Sequence, residues 1–184
     1  IPQIESAKGV LNSYEIASTG ERIIALAFGS GDYYRDLGRS VDSLSPEQTE
    51  LSFARSHIIN SSVAAGVQPI DTIFFGLLTD RESFVKETMM ALQLGFKGKL
   101  LVHPTQIEPA NKIFSPAPSE VEYARRMVKV FEEAQSRGLG AISFEGKMID
   151  IMNYTQAKDL LDLVEIIAKK EERRQRASSV SLSQ

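Results

Sequence analysis

Four short apolar stretches, each followed by a segment of helical periodicity, constrain this chain more than any other feature. They read "IPQIE", "RIIALAF", "QPIDTIFF" and "GKLLVHP". Strand alternating with helix predicts parallel βαβ units joined by right-handed crossovers. Near-continuous apolar runs are the usual mark of strands buried on both faces of a parallel sheet. Four such units make either a small open sheet or half of a (β/α)8 barrel, which needs about 250 residues when whole. The chain has 184 residues and opens on what reads as a strand already under way. A half-barrel alone would leave two unpaired strand edges. The expected fold class is therefore α/β: the C-terminal half of a (β/α)8 TIM barrel plus a C-terminal helical lid, with the upstream half missing.

The helices can be placed with their caps. After "IPQIE" comes a helix with Val10, Leu11, Tyr14 and Ala17 on one side. A second carries Leu51, Ala54, Ile58 and Val63 in a stripe, with Pro46 as a helix start. "DRESFVKETMMALQLG" is a third, stopped by Gly95. In "PAPSEVEYARRMVKVFEEAQSRG", Ser119 as N-cap and Glu122 three residues on read as a capping box, and Gly138 ends the helix. "AISFEGKMID" is a short extended piece or loop, and a last helix runs from about Asn153 toward Glu172 with Ala157, Leu160, Leu161, Val164 and Ile167 inward. Residues 1–137 are expected to hold the four βα units and 138–172 the lid. The charged, then Ser-rich stretch 173–184 reads as a disordered tail.

Composition removes several function classes. A net charge of −3 and a pI near 5.5 argue against nucleic acid as a partner, since such binders carry a basic excess or stripe. No apolar run approaches the roughly 18 residues needed to cross a bilayer, so no membrane partner is expected. The chain lacks cysteine, which excludes disulfides, thiolate nucleophiles and Cys-type zinc sites. A cytoplasmic location is the expectation.

In barrels and open α/β sheets alike, chemistry gathers at the carboxyl ends of the strands. Two carboxylates stand at such ends on consecutive strands: Glu5 after "IPQI" and Asp32 after "AFGSG". Adjacent strands lie about 4.8 Å apart, so both acids could share one cation over the same rim. Two carboxylates with no softer ligand suit Mg²⁺, which keeps positions for water and substrate oxygens. The bland alternative pairs Glu5 with Lys8 and makes Asp32 a helix cap. "GSGDYY" is a poor dinucleotide motif, because the third glycine of the pattern would fall on Tyr34. His103 also ends a strand, where a lone histidine most often serves as a structural hydrogen-bonder. Asp150, between a glycine turn and the final helix, is by pattern alone a helix-capping aspartate. Nothing of the form G-x-S-x-G occurs.

"IPQIESAKGVLN", "ALAFGSGDYYRDLG", "LLVHPTQIEPANKIFSP" and "RGLGAISFEGKMID" together resemble the citrate lyase beta-subunit family, which includes malyl-CoA and citramalyl-CoA lyases on an HpcH/HpaI aldolase-like barrel. The resemblance runs from Ile1 to about Val164, in order and with similar spacing. It implies a Mg²⁺-dependent carbon–carbon lyase that cleaves a citryl- or malyl-type 3-hydroxyacyl thioester into a keto acid and an acetyl thioester. The carrier would be coenzyme A or an acyl carrier protein. The family's metal-ligand glutamate falls on Glu5 and its metal-ligand aspartate on Asp32. The His-Pro pair associated with substrate or coenzyme falls on His103 and Pro104, and the catalytic aspartate falls on Asp150, often acting across a subunit boundary. Citrate lyase alpha and acyl-carrier subunits, and a homo-trimer or hexamer, are the partners this implies. Two departures stand out: Gly31 replaces the acid that many relatives carry before the metal-binding aspartate, and the family's substrate-binding arginine lies in the absent upstream half. A thioester hydrolase, a malate-synthase-like condensing enzyme and a non-catalytic subunit are the competing readings.

Overall fold

In the computed structural model, which describes residues 1–181 and side chains to residue 176, the chain forms two compact units, Ile1–Phe114 and Ser115–Gln184. The N-terminal unit is α/β. Its strands β1 (Gln3–Ile4), β2 (Ala25–Phe28), β3 (Gln68–Asp71) and β4 (Gly98–Lys99) form one sheet in the order β1-β2-β3-β4, all parallel. The helices α1 (Ala7–Leu11), α2 (Ser13–Ala17), α3 (Ser30–Asp36), α4 (Ser52–Ala64), α5 (Arg81–Leu94) and α6 (Ile107–Phe114) lie between and after the strands. The sequential order follows from βαβ crossovers that each return to the neighbouring position.

Register separates the two faces of the sheet. Ile4 pairs with Phe28, and both join Leu26, Val10, Ala17, Leu51, Ala54 and Ile58 in the core beneath α1, α2 and α4. Each fully buried Val, Leu, Ile or Phe among them stabilises the fold by roughly 1.5–3 kcal/mol. The alternate row runs Gln3–Ala27–Ile70–Gly98 across all four strands. Strand alternation puts it on the opposite face, and none of its members joins a core cluster.

Several local expectations are corrected. The first helix breaks at Asn12 into α1 and α2, so Leu11 and Tyr14 are exposed while Ser13 is buried against Ser61 (Oγ to Oγ 2.7 Å). On α4, Leu51, Ala54 and Ile58 are inward as expected, but Val63 is 65% exposed. Pro46 does not start that helix; a turn of 3₁₀ over Thr49–Leu51 leads into Ser52. The third helix starts as read, with Asp80 accepting from Ser83 N–H at 3.1 Å, and ends on Gly95 at φ 115°.

The C-terminal unit holds α7 (Pro118–Gln135), the antiparallel hairpin β5 (Ala141–Phe144) with β6 (Lys147–Asp150), and α8 (Ile151–Ser181). Ala124, Met127, Val128, Phe131, Ile149 and Ala157 form its core, with Leu160 and Leu161 packed against it. The chain divides after Phe114, and within the second unit α7 packs its apolar stripe with the hairpin and α8. Pro118, not Ser119, opens α7; Glu120 accepts from Ala117 N–H at 2.8 Å, and Ala117 has no side-chain oxygen to complete a capping box. "AISFEGKMID" is a hairpin whose turn residues Glu145 and Gly146 both have positive φ, 47° and 78°, matching a tight two-residue turn. Helix α8 continues to Ser181 through most of the stretch expected to be a disordered tail; residues 182–184 lie outside the described residues. Arg, Glu, Lys and Ala are good helix formers, and polar composition alone does not end a helix already nucleated. No described helix is long and apolar enough to cross a membrane.

Candidate metal centre

The carboxyl ends of β1 to β4 border a cleft of about 510 Å³ lined by Gln3, Gly29, Asp32, Arg39, Thr72 and Phe75 among others. Glu5 follows β1 directly. Strand alternation turns it away from Ile4 and the helix-packed core, toward the face that carries Gln3. Its carboxylate lies over Gly29: a Cβ on that glycine would fall 2.4 Å from Glu5 Cγ and 2.9 Å from Oε1. The backbone of β1 meets the same residue, with Gly29 N–H donating to Ile4 O at 2.8 Å. Gly29 therefore serves as a floor on which the glutamate rests, and any larger residue would displace it.

From Gly29 the chain turns into α3, and Asp32 stands in the first helical turn on the cleft wall. The turn is tied to β3 by Ser30, whose Oγ lies 2.8 Å from Thr72 Oγ1 and whose N–H donates to it at 3.3 Å. Asp32 pairs with Arg35 at 2.8 Å, one helical turn on, with both side chains at least half exposed. A pair this exposed contributes less than about 1 kcal/mol, so Arg35 can yield its partner to a cation. The expected alternative pairing of Glu5 with Lys8 does not form among the described residues, and the acid that bonds across to α1 is Asp36, accepting from Ala7 N–H at 2.8 Å. Gly31 packs under Phe75, whose Cζ lies 3.1 Å from where a Cβ would be. An acid at this position would have to move the ring.

Glu5 thus lies against Gly29, and Asp32, three residues further along, stands on the cleft wall, while Glu5 is not part of the cleft lining. The donors are hard carboxylate oxygens, and the described residues offer no group of three or more His, Cys, Asp or Glu that could hold a metal. Two carboxylates with the rest of the shell left to water and ligand oxygens is the donor set of Mg²⁺, and a glycine floor that leaves space for the glutamate fits it.

His103 and Pro104 stand apart from the cleft lining. His103 caps the short 3₁₀ turn Pro104–Gln106: its Nδ1 accepts from Thr105 N–H at 3.3 Å and lies 2.9 Å from Thr105 Oγ1. Pro104 fills the first position of that turn, where no N–H is needed. Asp150 belongs to the C-terminal unit, at the end of β6. Its Oδ1 accepts from the N–H groups of Met152 (3.0 Å) and Asn153 (3.3 Å), and Asn153 Oδ1 accepts from Asp150 N–H at 3.1 Å. That is the helix-capping geometry expected from pattern alone, with Oδ2 making no hydrogen bond among the described residues.

Sequence reasoning missed Thr72 and Ser30, and it passed over the charged residues inside apolar strands, Asp71 in "QPIDT" and Lys99 in "GKLLV". Both are buried. A charge within a run otherwise fit for burial was the available signal, since such a group is tolerated only with a partner.

Residues 1–104 match the HpcH/HpaI aldolase/citrate lyase family. The chain is 38% identical over 168 residues to citrate lyase subunit beta of Leuconostoc mesenteroides subsp. cremoris, covering 86% of this chain and 54% of that protein. It is 32% identical over 165 residues to a (3S)-malyl-CoA thioesterase of Cereibacter sphaeroides, covering 90% of this chain and 56% of that one. The chain spans about half the length of the curated relatives it matches. Among solved structures it is similar to the protein CitE from Mycobacterium tuberculosis in complex with magnesium, acetoacetate and coenzyme A, at TM-score 0.70 and 29% identity, covering 88% of this chain and 59% of that one.

Proposed function

We propose, from the premise that the chain belongs to the HpcH/HpaI aldolase/citrate lyase family, that it forms part of a Mg²⁺-dependent carbon–carbon lyase. The substrate is a citryl- or malyl-type 3-hydroxyacyl thioester carried on coenzyme A or an acyl carrier protein, and the products are a keto acid and an acetyl thioester. The observation that carries this reading is the seating of Glu5 over Gly29, three residues before Asp32 on the cleft wall. The four-stranded parallel sheet is read as the second half of a (β/α)8 barrel. Its sequential strand order, a strand row from Gln3 to Gly98 that joins no core cluster, and its coverage of half of each relative support that reading.

Glu5 and Asp32 would hold the ion, which when bound supplies Lewis-acid polarisation and a template for the substrate's oxygens. Asp150 takes the hydroxyl proton on its free Oδ2, while the two N–H groups on Oδ1 fix the carboxylate's orientation. As that proton leaves, the bond between the hydroxyl carbon and the thioester's α-carbon breaks. Its electron pair goes to the α-carbon, the hydroxyl carbon becomes the keto group, and a proton added to the α-carbon completes the acetyl thioester. Proton transfer by a placed side chain contributes about 10²–10⁴-fold. Asp150 acts on the site of a neighbouring copy in a homo-oligomer, and His103 and Pro104 border the carrier's path.

The test is product analysis with citryl, malyl and citramalyl thioesters in the full-length protein. Keto acid with acetyl thioester supports the lyase. Free thiol with intact hydroxy acid indicates a hydrolase instead, the reading that similarity to the Cereibacter thioesterase favours second. Asp150→Asn is expected to lower turnover by about 10²-fold or more while Mg²⁺ affinity, read by calorimetry, stays within about twofold. Loss of Mg²⁺ binding in that variant would overturn the role assigned to Asp150.

A further inference from the structure

The buried charged side chains, which this chemistry leaves unused, form one closed ring inside the N-terminal unit. Arg55 donates from Nε to Asp71 Oδ1 at 3.0 Å and from Nη2 to Gln48 Oε1 at 2.7 Å. Lys99 Nζ donates to Asp71 Oδ2 at 3.2 Å and to Glu87 Oε1 at 2.6 Å. Gln48 Nε2 donates to Glu87 Oε2 at 2.7 Å and closes the circuit. Arg55, Asp71, Lys99 and Glu87 are all buried. Two cations face two anions, so the ring is neutral as a whole.

A buried ion pair is a weak source of stability, because desolvation of the charges offsets their attraction and apolar groups of equal volume often do as well. Placement points to another role. Asp71 ends β3, and the next residue, Thr72, lines the cleft and accepts from the buried Ser30 hydroxyl at 2.8 Å. Ser30 opens α3 two residues before Asp32. At the far side of the ring, Gln48 follows the loop whose residues Arg39, Ser40 and Val41 line the cleft. Its backbone is held at φ 49° in the left-handed region, and its amide is the one member of the ring that both accepts from a cation and donates to an anion.

We infer that the ring is a positioning frame for the cation site. It locks the carboxyl end of β3 so that Thr72 holds the turn presenting Asp32, and through Gln48 it fastens the outer wall of the cleft to the same frame. This rests on reading Glu5 and Asp32 as the Mg²⁺ ligands, and adds the residues that set their geometry. Gln48, Arg55, Asp71, Glu87 and Lys99 lie outside the cleft lining and act as positioning residues; Thr72, on the cleft wall, positions Asp32 through its bond with Ser30.

The test titrates MgCl₂ into the full-length protein by calorimetry, with thermal unfolding in parallel. Thr72→Val keeps the shape and removes the hydroxyl; Gln48→Glu cannot donate to Glu87. Both are expected to bind Mg²⁺ about tenfold more weakly, the usual consequence of losing a residue that orients a metal ligand. Thr72→Ser, which restores the hydroxyl, is expected to return affinity to within about twofold of the parent. Where Gln48→Glu does not fold, Gln48→Leu removes both of the residue's bonds, the one to Glu87 and the one from Arg55, without adding charge. Folded Thr72 and Gln48 variants that lose stability but keep parental Mg²⁺ affinity overturn the inference, as does a loss confined to Thr72→Val. Asp32→Asn separates the two levels. If it loses Mg²⁺ while the frame variants keep it, only the frame is wrong; if it keeps Mg²⁺, the ligand reading fails and the frame with it.

Discussion

Gly29 is the residue whose identity the site depends on most directly. Its φ of −100° is open to any residue, so the requirement is for space and not for backbone freedom. A methyl group there would stand 2.4 Å from Glu5 Cγ, and the glutamate, an exposed and flexible side chain, would swing aside. Gly29→Ala is therefore expected to leave the melting temperature within a few degrees of the parent and to weaken Mg²⁺ binding on the order of tenfold, both measurable in one set of titrations and melts. A fold that collapses, or a Mg²⁺ affinity that does not move, would contradict the seating. Glu5 and Asp32 could be picked out beforehand because acids at consecutive strand ends need only strand boundaries to be located. Asp150 was legible as a helix cap for a similar reason, since capping partners lie two or three residues away in sequence. Thr72 was not, because its partner Ser30 is 42 residues distant. The replacement of an acid by Gly31 has its physical counterpart in the ring of Phe75, which occupies the space.

At the scale of elements, helix ends were readable wherever a side chain announces them. Asp80 caps α5 and Gly95 closes it, each doing what its chemistry favours. The backbone N–H of Ser83, with its hydroxyl, holds the Asp80 carboxyl below its ordinary value of 3.8. A group depressed on folding adds stability that is complete above its unfolded pKa and disappears as pH falls through the lower, folded one. Asp80→Ala should consequently melt below the parent at neutral pH, with the gap constant down to about pH 5 and closing as pH falls below the ordinary aspartate range. Melting curves across that series would decide it, and a gap that persists undiminished in acid would show that the cap's charge is not what stabilises α5. Elements whose limits depend on packing were harder to read. The break at Asn12 brings Ser13 to Ser61, and α8 runs past Glu172 because composition alone gives no stop.

For the molecule as a whole, the N-terminal unit ends its sheet on β1 and β4, each paired on one side only among the described residues. Open edges of a parallel sheet present unpaired backbone groups, a template for association. A preparation of residues 1–184 alone is expected to self-associate with rising concentration and to bind an apolar dye. Sedimentation and dye fluorescence at several concentrations would measure this, and a dye-silent monomer at all of them would refute it. The C-terminal unit has its own core around Phe131, which stacks on Tyr154 at 5.1 Å. Helix α7 contributes Ala124, Met127, Val128 and Phe131 to that core.

Periodicity and composition sufficed to establish that this chain alternates strand and helix, that its sheet is parallel, and which two acids stand at the ends of neighbouring strands. Those properties are carried by residues within a turn or two of one another, where backbone stereochemistry and side-chain spacing act directly. Tertiary structure alone decided which buried charges meet and which glycine lies beneath Glu5. It also placed the division between the two units. Arg55 reaches Asp71 across 16 residues, and Gln48 reaches Glu87 across 39. Contacts at such separations exist only after the sheet has assembled, because no local regularity encodes which strand end a given helix will cover.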